Sequence, residues 1–120
     1  MMTTKQVANR LVELCRQEKH PQAQEELYHN DIVSIEDEKS GVPATKGMDA
    51  IRAKTVVWDQ SVVEIHSASV SEPIVTGNHF AVTMENDITF NDKGRIQINE
   101  ICVYEVQQGK IVREQFFYNM

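Results

Sequence analysis

The chain has 120 residues, 41% hydrophobic and 25% charged, with a net charge of −6 and a pI near 5.1. This composition fits one globular domain spanning residues 1–120, large enough for a single core and too apolar for disorder. Lys and Arg are scattered singly, no apolar run nears the roughly 20 residues of a membrane span, and the polar start MMTTKQVANR lacks a signal-peptide core. A cytoplasmic protein with neither nucleic-acid nor membrane partners is therefore expected.

Positions 4–18 (TKQVANRLVELCRQE) place Val7, Leu11, Leu14 and Cys15 at helical spacing, with Thr3 or Thr4 as N-cap. His20-Pro21 breaks this helix, and QAQEELY predicts a short second one ending near Tyr28. NDIVSIED at 30–37 alternates as a strand, with Ile32, Ser34 and Glu36 on one face. After the turn-rich EKSGVPATKG, residues 48–58 repeat Met48, Ile51, Thr55 and Trp58 as a third helix.

From residue 61 the period is two. Four long strands are predicted over 61–77, 78–92, 94–106 and 110–118, separated by Gly77-Asn78, Asp92-Lys93-Gly94 and Gln107-Gln108-Gly109. Pro73 puts the first of these at an edge or on a bulge. Three N-terminal helices before a long antiparallel meander make an α+β domain, with the helices packed on one face of a curved sheet.

The last hairpin carries the candidate chemistry. With Gly109 left-handed in a three-residue turn, Val106 pairs with Lys110, Tyr104 with Val112, Cys102 with Glu114, Glu100 with Phe116 and Ile98 with Tyr118. Glu100 and Glu114 then share a largely apolar face as diagonal neighbours, about 7 to 8 Å apart at Cα. A two-residue Gln108-Gly109 turn separates them to opposite faces, and the first register is preferred because it gathers one apolar surface. Two desolvated carboxylates at that distance raise one pKa and make a general acid near neutrality. The structural alternative is that both acids satisfy Tyr, Lys or backbone donors inside the fold.

Other candidates are weaker. His20, His29 and His79 sit at element ends, whereas His66 lies mid-strand, where it either reaches the cavity or sits on the sheet surface, the reading preferred over a catalytic one. Asp87 faces solvent if its strand is regular. Cys15 and Cys102 read as buried thiols, no histidine pair has metal-site spacing, and no glycine-rich phosphate loop is present, so neither a metal nor a cofactor is expected.

The order of elements resembles the nuclear-transport-factor-2-like (NTF2-like) superfamily over nearly the whole chain, and within it the small SnoaL-like proteins. The resemblance is carried by Ser34-Ile35-Glu36, then Gly47, Ile51, Lys54 and Trp58, then Pro73, Phe80 and Asp87. It ends on Glu100, Tyr104, Gly109-Lys110-Ile111, Glu114 and Phe116-Phe117-Tyr118. It implies a cone-shaped α+β barrel with an apolar pocket, usually dimeric through the sheet.

In the ketosteroid-isomerase branch Glu36 stands roughly where that branch has its base. The branch's oxyanion Tyr falls near Leu11, and its late-strand Asp falls near Ile101 or Glu100, so the oxyanion pair is incomplete. Nothing matches the polyketide-cyclase site cleanly. Together these readings lead to a homodimer binding a small apolar molecule. Glu114, Glu100 and Glu36 are the catalytic candidates, with isomerase, dehydratase or cyclase chemistry in view. Tyr104, Tyr118, Phe116, Trp58, Lys54 and His66 are the ligand contacts. The rival reading is a non-catalytic binding module.

Overall fold

A computed structural model describes residues 1–119. Helix α1 (Thr4–Arg16) starts on a reciprocal cap: the Thr3 hydroxyl accepts from the Gln6 amide at 3.2 Å, and the Gln6 side chain accepts from the Thr3 amide at 2.9 Å. Such a cap is worth about 1 kcal/mol. The predicted stripe Val7, Leu11, Leu14 and Cys15 is buried, together with Ala8 and Val12. Helix α2 (His20–Leu27), with Pro21 in its first turn, runs directly into strand β1 (Tyr28–Ile35).

A single 3-10 turn and the two-residue β2 (Thr45–Lys46) lead to α3 (Met48–Ser61). Gly47 enters α3 at φ 87°, outside the comfortable range of other residues, while its amide donates to Ile32 O at 2.8 Å. Only Met48 and Ile51 of α3 are buried; Val56, Val57 and Trp58 are exposed. The predicted stripe therefore holds for the first turns, after which the helix projects past the core.

The remaining strands are β3 (Val62–Val70), β4 (Ile74–Thr76), β5 (His79–Phe90), β6 (Gly94–Gln107) and β7 (Lys110–Tyr118). The predicted strand over 61–77 is interrupted at Ser71–Pro73, and β3 and β4 both pair with β5. The sheet order is β2-β1-β7-β6-β5-β3. All pairs are antiparallel except β1 with β7, so the sheet is mixed rather than purely antiparallel as expected. The parallel contact arises because β1 returns from the helices beside the last strand.

The final hairpin corrects the expected register. Gln108 (φ 51°) and Gly109 (φ 77°) form a two-residue left-handed turn, with Gln107 opposite Lys110 and Val106 opposite Ile111. Val112 is then an extra residue, and pairing resumes with Glu105 opposite Arg113. The bulge resets the two-residue period. Glu114 therefore faces Tyr104, Phe116 faces Cys102, and Tyr118 faces Glu100. The acids share a face as expected, by a different route, and lie four residues apart in register instead of two. Ile111, which the expected register with Val112 facing inward would turn to the opposite face, is fully buried.

The inner face has two regions. Towards the β6–β7 turn α1 and α2 cover it, and Leu11, Leu14, Leu27, Phe80, Val82, Tyr104, Val106 and Ile111 pack into the core. Burial of each large aliphatic side chain stabilises by roughly 1.5–3 kcal/mol. Towards the other end the inner positions Ile65 and Ala68 of β3 are exposed and Asn86 and Ile98 are half-buried, although Ile88 and Phe90 are buried, so this stretch of the inner face forms a partly covered trough.

Candidate functional site

A row of polar side chains runs along the inner face from the packed core to the trough. At the core end is Glu114, only 5% exposed. Tyr28 O–H donates to its carboxylate, and Ser34, opposite it on β1, lies alongside. Burial pushes the Glu114 pKa up, while the Tyr28 and Ser34 hydroxyls pull it back. The Ser34 hydroxyl is fully buried and makes no hydrogen bond of normal geometry. Burial, reinforced by the neighbouring acid, holds the Tyr28 phenol well above its ordinary pKa, so it remains a donor.

Glu36 follows β1, the strand beside Glu114's β7. Its carboxylate pairs with the Lys54 ammonium of α3 and accepts from Tyr118 O–H at 2.8 Å. The Tyr118 phenol is pushed up to about 12, first by burial and then by the Glu36 hydrogen bond. Next to it Asp37 accepts from the amides of Lys39 and Tyr118, both at 2.9 Å, and those bonds hold its pKa below the usual carboxylate range. Asp37 thus ties the end of β1 to the end of β7, which fixes Glu36 and Tyr118 together. The Lys54 ammonium also lies 5.8 Å from the Phe116 ring centre.

Farther along the same face, on β6, stands Glu100, half-buried with Met84 and Tyr118 as its cross-strand neighbours. Its hydrogen-bond partner is the Cys102 thiol, which donates at 3.6 Å, a weak interaction. Burial is the main force pushing the Glu100 carboxyl up to about 7; Glu36 and Glu114 add to it, while Cys102 and Lys54 offset part. The arrangement places a carboxyl raised towards neutrality beside the trough. Cys102 itself is inert, its pKa raised by burial and by Glu100.

Of the residues singled out in the sequence, Glu36, Glu100, Glu114, Lys54, Phe116 and Tyr118 come together. Tyr104 does not join them as a ligand contact: it is 2% exposed and stacked on Phe80 at 4.7 Å, inside the core. His66 is on the wrong face, because β3 bulges there. It bonds Thr89 Oγ1 at 2.7 Å and Glu64 at 2.9 Å on the outer surface. Trp58 lies edge-on to Phe90 at 5.1 Å, at the far end of the trough from Glu100. Asp87 faces outward and forms a two-pronged pair with Arg95 at 2.8 and 3.0 Å. Tyr28 was missed as a partner because β1 is irregular between Tyr28 and Val33, which spoils the strand period that would reveal its direction.

Two surface grooves, of about 400 and 440 Å³, lie elsewhere. One is lined by α1 and the residues before β4, the other by Met1, Met2 and Gln108–Lys110. Among the described residues no group of three His, Cys, Asp or Glu side chains could hold a metal ion, and no helix is long and apolar enough to cross a membrane.

Comparison with known proteins matches this architecture to an existing family. A family model described as the SnoaL-like domain matches residues 2–118. A protein from Mesorhizobium loti, provisionally named a SnoaL-like polyketide cyclase, is 33% identical with a TM-score of 0.91, over 98% of this chain and all of that one. An NTF2-like protein of unknown function from Burkholderia pseudomallei is 15% identical with a TM-score of 0.79, over 98% and 92% of the two chains. A protein from Catenulispora acidiphila with a ketosteroid isomerase-like fold, crystallised with trimethylamine, is 13% identical with a TM-score of 0.75, over 98% and 88%. The last two likenesses show the fold alone. No curated protein matches the chain. The chain belongs to the SnoaL-like domain family, within the NTF2-like fold.

Proposed function

We propose that this protein binds a small, largely apolar molecule in the trough and exchanges a proton with it through Glu100. The observation that carries this reading is the position of Glu100: a half-buried carboxyl without a basic partner of its own, poised near pH 7, where apolar wall meets polar row. Ile98, Met84 and Phe116 supply the apolar wall. Glu36, Lys54 and Tyr118 form a hydrogen-bonded rim that orients polar ligand atoms. Glu114 and Tyr28, deeper in, hold the end of the row in one geometry and keep its charge low. Removal and return of a proton beside a carbonyl is the chemistry such a group serves, as in isomerisation, dehydration or cyclisation.

The test uses a probe that requires no knowledge of the natural substrate. In heavy water the protein should accelerate exchange of the α-hydrogens of cyclohexanone, and Glu100→Gln should abolish the acceleration while leaving the fold intact by circular dichroism. Equal exchange with and without protein contradicts the proton-transfer role.

A second reading, a binding module without chemistry, draws support from the packed interior around Tyr104 and from two surface grooves that lie outside the row. In that case cyclohexanone shifts the resonances of Met84 and Phe116 without exchanging hydrogen. In either reading we infer a homodimer through the outer face, where Ile101 and Phe117 sit opposite each other and are 50% and 45% exposed. A cytoplasmic setting accords with two free cysteines and an acidic chain.

A further inference from the structure

The outer face of the sheet holds a second constellation, on the opposite side from Glu100 and towards the β5–β6 turn. His66 sits at the bulge in β3, where the ladder to β5 is interrupted between Ile65 and Ser67. Its Nε2 lies 2.7 Å from the Thr89 hydroxyl on β5, and its Nδ1 lies 2.9 Å from a Glu64 carboxylate oxygen. Bulges re-aim side chains in this way beside active sites.

The two contacts assign both ring nitrogens. An ionised carboxylate only accepts, so Nδ1 carries its hydrogen towards Glu64, and in the neutral ring Nε2 is left with a lone pair facing the Thr89 O–H. A hydroxyl that donates to an imidazole held from behind by a carboxylate is the arrangement that activates an oxygen nucleophile.

Arg95 stands directly opposite Thr89 on β6, and its guanidinium binds Asp87 through Nε and Nη2 at 3.0 and 2.8 Å. Those bonds fix the group and leave its remaining N–H donors for negative charge developing beside Thr89. The site is reachable: Thr89 is half-buried, and the Arg95 side chain is 62% exposed. Thr89 also lies about 20 Å along β5 from Thr83, the cross-strand partner of Ile101, so it is clear of the Ile101–Phe117 pair inferred as the dimer contact.

We propose that Thr89, His66 and Glu64 form a surface acyl-transfer site for small, activated acyl esters, separate from the trough. Thr89 Oγ1 attacks the acyl carbonyl carbon, and its proton passes to His66 Nε2. The tetrahedral oxyanion that results meets the Arg95 donors. It collapses to an acyl-threonine as the bond to the ester's alcohol oxygen breaks, and that oxygen takes the proton from His66. Water then attacks the acyl carbon, giving a proton to Nε2, which returns it to Thr89 Oγ1 as the carboxylic acid leaves. Glu64 touches no reacting atom; it is a positioning residue that holds the ring in the productive tautomer.

The test treats the full chain with p-nitrophenyl acetate, follows nitrophenolate release, and locates acetyl groups by mass spectrometry of the acid-quenched, digested protein. An acetyl group should appear on Thr89, and its formation should slow about 100-fold in His66→Gln. Thr89→Ser keeps the hydroxyl and should still be acetylated at that position, whereas Thr89→Val keeps the shape and should not. Glu64→Gln should slow acetylation less than His66→Gln, because the Glu64 side chain is 64% exposed, and should shift the nitrogen-15 resonances of His66 that report its tautomer. Acetyl groups confined to lysines or to His66, acetylation of Thr89 at an unchanged rate in His66→Gln, or a Thr89→Ser protein with native circular dichroism that is as inert as Thr89→Val each overturn the proposal.

Discussion

Moving a carboxylate out of water penalises its charged form, and Glu100 and Glu114 show two responses to that cost. Glu114, almost fully buried, is answered by the Tyr28 hydroxyl and serves the fold. Glu100, less buried, has only a thiol and is left near pH 7. Because its folded pKa is raised above the unfolded value of 4.5, the folded state binds more protons between about 4.5 and 7. Glu100 therefore favours folding most below pH 4.5, and that advantage is lost as pH rises through about 7. Removing the charge in Glu100→Gln should raise stability at pH 8 by roughly 1–3 kcal/mol and change it little at pH 4.5, measured by urea unfolding at both values. Equal effects at the two values would contradict the raised pKa. Tyr28→Phe removes the main donor to a buried carboxyl and should cost about 1–3 kcal/mol in the same assay.

At the scale of elements the hairpin β6–β7 decides where the chemistry lies. The alternation of Glu100, Cys102, Tyr104, Glu114, Phe116 and Tyr118 was legible as one face, and the face is correct. The turn was not, because Gln108 adopts a positive φ that the sequence signals only through its neighbour Gly109, and because a bulge such as Val112 has no residue signature of its own. Those two departures cancel in face but not in register. The bulge at His66 decides a direction that the sequence left open, turning that residue onto the outer surface. Gly109→Ala tests the turn: φ 77° is unfavourable for any side chain, and a Cβ would come within 2.8 Å of Met1 Cγ. The substitution should lower stability by about 1–2 kcal/mol, checked by thermal or urea unfolding.

At the scale of the whole molecule the sheet has one side packed on helices and one side bare. The helices and the family architecture could be read from period and resemblance, since amphipathic stripes such as Val7, Leu11 and Leu14 are strong signals. The parallel β1–β7 contact could not, because pairing between distant strands leaves no local pattern. The bare outer face carries Ile101 and Phe117 in register, and Phe117→Asp should shift the protein from dimer to monomer in sedimentation while keeping its circular dichroism spectrum. A wild-type monomer would remove the inferred dimer and leave the trough untouched.

The concave side is where a carboxyl with neutral-range titration meets an apolar wall, and the account stands on that group. Carbon-13 observation of the glutamate side-chain carboxyls across pH 3 to 9 tests it most directly. One resonance, lost in Glu100→Gln, should titrate near 7. If the resonance assigned to Glu100 instead titrates at its unfolded value of 4.5, the proton-transfer role is contradicted.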